Sequence, residues 1–339
     1  MLVVRPARAD DIDSFARLAE EAGPGFTSLQ LPREDLEKRL VKSEAAFGST
    51  SVAEPGRIYV LMLEDTATGT IHGVSAVKAK IGIEDPYFNF RVLGVAQKSV
   101  AVDRRYDMDV LHLVNECGGS SEVGTLFVEE ALRGTGAGRL VSQSRYMLIA
   151  ADRDRFSDTV VAELRGHVEK DGHSPFWEAI GRKFFHMDFV EADRISAQKD
   201  NQFILDLMPK HPIYAVLLPE DAQAVIGRTH PNGLGARRLL EQEGFRFMDV
   251  VDIFDAGPLM KAPTHDIRTV RDSVSLVARE ASREGRTRAL VTNDRIPDFR
   301  AVHTHIDMTS DEVDLPADVM DALRIGPGDR ARVWHRHIR

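Results

Sequence analysis

Apolar and polar positions change along this chain in short blocks, and the period of each block predicts an element. Val3 to Arg5 read as a strand, and Asp10-Asp11 offers an N-cap before Ile12, Phe15, Leu18 and Ala19, which recur at helical spacing. Pro32 opens a second helix carrying Leu36, Leu40 and Val41. Ile58 to Leu63 and Ile71 to Ala79 are β-rich runs on either side of Asp65-Thr66-Ala67-Thr68-Gly69, which predicts an antiparallel pair. Three short strands are expected at Arg91 to Val95, Lys98 to Val102 and Val110 to Asn115. Val123 to Val128 then runs through a glycine-rich turn into a helix over Arg139 to Ala151.

Thr159 to Leu164 is the next strand. Ser174-Pro175 opens a helix with Phe176, Ile180 and Phe184 at spacings of four. Further expectations are a strand from Ile213 to Leu218, helices over Pro219 to Ile226 and Ala236 to Glu243, and a strand from Phe245 to Phe254 after Gly244. Past Ala256-Gly257-Pro258 the pattern turns to short strands at Ala289 to Thr292, Phe299 to Ile306 and Ala331 to Trp334. Residues 1-256 therefore read as one domain and 257-339 as a small β-rich domain.

Composition narrows the class only coarsely. A hydrophobic share of 43% and a charged share of 29% are those of an ordinary globular chain. The net charge of −9 disfavours nonspecific attraction to nucleic acid or anionic lipid, so an anionic ligand needs a local basic or amide-rich pocket. The single cysteine, Cys117, suits a reducing compartment, and with neither a signal-peptide pattern nor a bilayer-length apolar run the expected location is the cytoplasm.

The glycine turn is the first feature with chemistry. Arg133-Gly134-Thr135-Gly136-Ala137-Gly138 lies between a strand and a helix, where unpaired amides at the positive end of the helix dipole suit a diphosphate. A dinucleotide fingerprint needs a third glycine three residues after the second, but Arg139 follows Gly136 there and Val141 follows Gly138. A Walker loop needs lysine and a hydroxyl after its last glycine, where this chain has Arg139-Leu140. What remains is Arg-x-x-Gly-x-Gly, which resembles the coenzyme A signature of the GNAT N-acyltransferase superfamily. That resemblance implies an α+β fold with a central mixed, mainly antiparallel sheet flanked by helices.

Longer motifs narrow it further. Thr27-Ser28-Leu29, Thr125-Leu126-Phe127, Ser174-Pro175-Phe176-Trp177-Glu178-Ala179, Met208-Pro209-Lys210-His211-Pro212-Ile213-Tyr214 and Asp252-Ile253-Phe254-Asp255 resemble the arginine N-succinyltransferase family, as do Leu290-Val291-Thr292-Asn293 and Asp298-Phe299-Arg300-Ala301 in the tail. The resemblance implies transfer of a succinyl group from succinyl-CoA to the α-amine of L-arginine, with no metal, in a homo-oligomer or a heteromer with a homologous subunit. It implies His230 of Ile226-Gly227-Arg228-Thr229-His230-Pro231 as proton donor, and Leu126 as a contact of succinyl-CoA. Asp255-Ala256-Gly257 departs from the family pattern, where a second glycine is expected, and so does the stretch from Arg104 to His112. The alternatives are an enzyme that also accepts ornithine, another CoA-dependent amine acyltransferase, and a noncatalytic partner subunit.

Roles follow from the chemistry of amide formation. The departing thiolate benefits from a proton, which His230 could supply, and Pro231 restricts the backbone that carries the ring. The backbone of Leu126, Phe127 and Val128 could hold the pantetheine arm and polarise the thioester. Gly134, Gly136 and Gly138 supply amides, and Arg133, with Arg139 second, could neutralise phosphate. For the acceptor, Thr27 and Ser28 could roof a site, and Asp252 and Asp255 are guanidinium candidates that otherwise cap turns. His303 with His305, and His335 with His337, share strand faces but lack an evident third ligand. Cys117 reads as a buried bystander, since direct aminolysis needs no covalent enzyme intermediate.

Overall fold

The computed structural model describes residues 1–23, 28–50, 54–169, 172–198 and 202–336; Thr27 and His337 lie outside these. Fifteen strands run in chain order among the described residues. They are β1 Leu2–Pro6, β2 Ile58–Asp65, β3 Thr70–Lys78, β4 Asn89–Ser99, β5 Arg104–Val114, β6 Ser121–Val128, β7 Thr159–Glu163, β8 Ile213–Tyr214, β9 Arg246–Asp252, β10 Pro258–Pro263, β11 Val274–Ala281, β12 Thr287–Thr292, β13 Ala301–Met308, β14 Glu312–Pro316 and β15 Arg330–Trp334. The chain divides into two compact units. One holds residues 1–80, 121–160 and 263–339, the other 81–120 and 161–262.

In the first unit β1, β2, β3 and β6 pair antiparallel in that order. Helices Ile12–Ala22 and Arg33–Gly48 cover them because Phe15, Leu18, Leu36 and Leu40 form one apolar stripe each against Val60, Met62, Ile71 and Val74. The strands after residue 273 belong to this unit too. β13 pairs antiparallel with β1, and β13, β14, β11, β15 and β12 each pair with the next, with β12 returning to β13. Five strands thus close on themselves without a free edge, around Leu276, Val291, Val302, Val313, Leu315 and Val333. The expected β-rich tail is a small closed barrel, with helix Ala317–Leu323 contributing Val319, Met320 and Leu323 to its core.

In the second unit β9 pairs antiparallel with β10 and with β4, β4 with β5, and β5 with β8. The core is Phe90, Leu111, Phe176, Trp177, Ile180, Val251, Ile253 and Phe254. Three expectations change here. The three short strands from 91 to 115 are one long hairpin, β4 and β5, whose pairing runs from Asn89↔Val114 to Ser99↔Arg104. Val100 and Val102, which suggested a strand, sit exposed in its turn, so their hydrophobicity does not report burial. The helix expected over 174–184 is broken at Ile180 into Pro175–Ala179 and Gly181–Phe185. The break lets the Trp177 ring lie against Gly181, where any Cβ would stand 2.1 Å from the indole, and it leaves Phe184 exposed. The strand expected from Ile213 to Leu218 stops at Tyr214 and continues as a 3-10 turn, Ala215–Leu217. No helix among the described residues is long and apolar enough to cross a membrane.

Candidate functional site

The first unit carries the glycine turn. β6 ends at Val128, a 3-10 turn covers Glu130–Leu132, and helix Ala137–Ala151 starts at once after Gly136. Gly134 and Gly136 have φ of 82° and 101°, backbone that L side chains rarely adopt, so these two glycines are what the turn requires. A Cβ built on Gly134 or Gly138 would meet nothing within 4 Å, so open space lies beside these amides, as a diphosphate needs. Beside Gly136 stands Arg288 of the barrel, its Nη2 3.0 Å from where a Cβ would be. Arg133 and Arg139 are exposed, and so is Arg288. His303 lies near Arg288 and Arg139; burial first and then these two cations push its pKa down to about 4, so the ring is neutral. His305 Nδ1 lies 3.7 Å from a Glu284 carboxylate oxygen, and no metal cluster of three ligands occurs among the described residues.

The strand leading into this turn is bulged. Between the pairs Ala76↔Gly124 and Val74↔Phe127 the register shifts, placing both Thr125 and Leu126 opposite Ser75, and Thr125 has φ of 55°. A bulge of this kind re-aims the backbone that follows it. The residues it re-aims are Leu126, Phe127 and Val128, with Leu126 half-buried and the other two buried. Arg145 Nη1 donates to the Gly124 carbonyl at 3.4 Å, bracing the bulge from the helix. Elsewhere in the unit, the Ser28 carbonyl accepts from Arg39 Nη1.

The second unit gathers ionisable groups from well separated segments. His230 has an extended backbone, as its following proline demands, and its amide donates to the Arg165 carbonyl at 2.8 Å. Its ring is half-buried, and Nδ1 accepts from the Asn232 amide at 3.2 Å. Burial first, then Arg165 and His167, lower the His230 pKa below its ordinary value. The ring is therefore neutral at pH 7, and with Nδ1 accepting, its proton sits on Nε2.

The turn from Asp252 to Gly257 fixes two carboxylates close by. Asp252 Oδ1 accepts from the amides of Phe254 and Asp255 at 2.7 and 2.8 Å. Asp255 is spent similarly, accepting from Gly166 at 2.7 Å and Gly257 at 2.8 Å. Gly166 and Gly257 pass so close that a Cβ on either would lie 2.1 Å from a backbone oxygen of the other segment. Trp177 stacks on Phe254 with centroids 5.4 Å apart, and Ser174, which caps the Trp177 helix, reaches the Phe254 carbonyl at 3.5 Å. The long Ser174 to Ala179 motif thus holds the turn that holds the aspartates. Ala256 has φ of 56°, which is why glycine is the expected residue there.

Two groups join this cluster that sequence reasoning passed over. Asp193, on helix Phe189–Gln198, has its pKa raised to about 7 by burial and then by Asp255, against the pull of Arg165. Glu163, the exposed end of β7, accepts from the Asn89 amide at 3.4 Å and acts on Asp252, whose pKa burial and these like charges hold well above the carboxylate range. The available signal was Glu163-Leu164-Arg165-Gly166-His167, three ionisable residues around a glycine directly after an apolar strand. Cys117 lies buried among Ile81, Val161, Val250 and Leu259, its thiol pushed up by burial.

The comparisons with known proteins place the chain among acyltransferases. It belongs to the arginine N-succinyltransferase beta subunit family, whose model matches residues 2–269, with the model for that subunit's C-terminal domain matching 273–335. Arginine N-succinyltransferase of Escherichia coli (strain 55989 / EAEC) is 38% identical over 98% of this chain and 97% of its own. The protein of the same name from Shigella flexneri serotype 5b is equally similar. Among solved structures, arginine/ornithine succinyltransferase subunit AI from Pseudomonas aeruginosa superposes with a TM-score of 0.90 at 34% identity, covering 99% of this chain and 98% of that one.

Proposed function

We propose that this chain transfers the succinyl group of succinyl-CoA to the α-amine of L-arginine by direct attack on the thioester. The observation that carries the reading is the family match along nearly the whole chain, which takes in both the glycine turn and His230. The fold proposed is of the GNAT type, with the closed barrel as a family-specific addition. The amides of Gly134, Gly136 and Gly138 and the Arg133 side chain hold the diphosphate, and the backbone of Leu126 to Val128 lies along the pantetheine arm. No metal is needed in this scheme.

His230 acts at the leaving group. Formation of the amide C–N bond and cleavage of the C–S bond carry, in net terms, one proton from the amine nitrogen to the sulfur. The neutral ring of His230 takes the proton that the amine loses on Nδ1, which then gives up the Asn232 amide, and as imidazolium passes its Nε2 proton to the sulfur, so it ends neutral as it began. A near-neutral cytoplasm suits both this ring and a lone reduced cysteine. Acceptance of ornithine as well is the second reading, favoured by the name of the Pseudomonas relative, an arginine/ornithine succinyltransferase subunit.

The test is thiol release from succinyl-CoA and acetyl-CoA with arginine, ornithine and lysine, for the native chain and for His230→Ala. The expected outcome is release with succinyl-CoA and arginine, reduced about 100-fold or more in the variant. Release with none of the pairs would overturn the function, and full activity in His230→Ala would remove the proton donor alone.

A further inference from the structure

Asn89, Glu163 and Asp252 come from three different strands of the second unit, β4, β7 and β9, and they present one kind of chemistry. Asn89 and Asp252 are partners in the β4–β9 register, and the Asn89 amide nitrogen donates to Glu163 Oε1 at 3.4 Å. A carboxylate only accepts, so the nitrogen must face Glu163 and the Asn89 carbonyl oxygen faces the other way. That oxygen has no hydrogen-bond partner although Asn89 is 0% exposed. Buried acceptors are nearly always satisfied, and an orphan beside two carboxylates marks the place of a missing donor.

We propose that Asn89, Glu163 and Asp252 form a subsite for a planar cation, the guanidinium of the acceptor amino acid. The proposal rests on the reading of arginine as acceptor. Asn89 Oδ1, Glu163 and Asp252 all accept, so the occupant that suits these three is a donor, as a guanidinium with its five N–H groups is. The charges call for the same occupant: Glu163 and Asp255 both act on Asp252 as like charges, while Arg165 acts on Asp255, Asp193 and His230. Burial, and then the like charges of Glu163 and Asp255, favour the protonated form of Asp252. A bound guanidinium takes the place of that proton. Glu163 is the exposed end of a strand while Asn89 is fully buried, so the three residues run from the surface into the interior.

The probe is methylguanidinium chloride, with methylammonium chloride as control, on the full chain. In the native chain methylguanidinium competes with arginine and not with succinyl-CoA, it inhibits more strongly than methylammonium, and its calorimetric binding heat varies with buffer because a proton leaves. Glu163→Gln and Asn89→Leu each raise the arginine KM and the methylguanidinium inhibition constant about tenfold or more, with the succinyl-CoA KM retained. Should buried Asn89→Leu fail to fold, Glu163→Gln decides alone. Unchanged arginine KM and unchanged inhibition in Glu163→Gln would overturn the subsite. If arginine is not turned over but methylguanidinium binds the native chain and not Glu163→Gln, the subsite stands and the acceptor assignment fails. If arginine is turned over and methylguanidinium neither binds nor inhibits, the subsite falls and the acceptor assignment stands.

Discussion

The two candidate sites are made from opposite materials. The glycine turn of the first unit is six consecutive residues of open backbone with exposed arginines beside it, whereas the His230 cluster of the second is side chains and tight backbone from residues 89, 163–167, 193, 227–230 and 252–257. An anion can be held by amides that any sequence supplies, provided glycine permits the turn. A cation and a proton in transit need carboxylates and imidazole kept part-dry, and that needs a core around them. The first site is local and tolerant; the second is long-range and constrained.

Glycine substitutions break this contrast most sharply. In Gly166→Ala the new Cβ would lie 2.1 Å from the Asp255 carbonyl oxygen and 2.6 Å from the Gly257 amide, both backbone atoms in a turn pinned by Trp177 on Phe254. Neither can retreat without opening the turn, so a loss of about 3 kcal/mol or more is expected in urea unfolding. Gly138→Ala meets nothing within 4 Å, sits in the first turn of a helix and has no positive φ, so it should be neutral or stabilising by about 0.5 kcal/mol. Its effect should instead be a raised KM for succinyl-CoA. Equal destabilisation by both would erase the distinction.

Proton linkage gives the next largest effect, and its sign is set by the raised carboxylates. Asp193 has a folded pKa of about 7 against an ordinary value of 3.8, so the native chain binds the extra proton between those values. Stability therefore falls as pH rises from about 4 through 7 and is flat above. Asp252 and Asp255, raised as well, act in the same direction. Asp193→Asn should stabilise the chain by about 2 kcal/mol at pH 8 and progressively less toward pH 5, measured by urea unfolding at each pH. A gain independent of pH would mean that Asp193 is not the titrating group. Beside the glycine turn the sign reverses, because His303, at about 4 in the folded chain against an ordinary 6.5, makes stability rise with pH between those values.

The same contrast explains what could be read from the sequence. Helix stripes such as Phe15, Leu18 and Leu36, Leu40 are local periodicities, and so is the strand, glycine turn and helix around residue 136. His230, Asp252 and Asp255 became candidates through motifs, but nothing in their spacing says that Arg165 holds the His230 amide or that Gly166 reaches Asp255. Glu163 reads as a strand residue and Asn89 draws no reading, because their importance lies in one part-buried hydrogen bond across 74 positions. The misplaced strand over Val100 and Val102 and the unbroken helix through Ile180 fail for a related reason. Exposed valines in a hairpin turn, and a backbone break made for a tryptophan ring, are decided by tertiary context rather than by period.

A pH profile tests the catalytic half. Because burial, Arg165 and His167 lower the His230 pKa, the active neutral ring is lost only as pH falls below the ordinary histidine value of 6.5. The acid limb of kcat/KM should lie below 6.5, and Arg165→Met should move it upward by removing a like charge, with the largest cause, burial, left in place. A limb that stays put in that variant would mean the arginine does not set the ring's charge.

Salt should separate the two sites by the smallest but most direct difference. Arg133 is exposed and has no carboxylate partner among the described residues, so its attraction to a phosphate acts through water and is screened over a Debye length of about 8 Å at physiological salt. Raising ionic strength should raise the KM for succinyl-CoA several-fold, and Arg133→Gln should raise it about three- to tenfold at low salt while flattening its salt dependence. The KM for arginine should change far less, since Asn89 is fully buried and Asp252 half-buried, where counterions reach poorly. Were both constants to rise together with salt, the acceptor would be held at the surface, and the division between an open anion cradle and a part-dry cation site would not describe this enzyme.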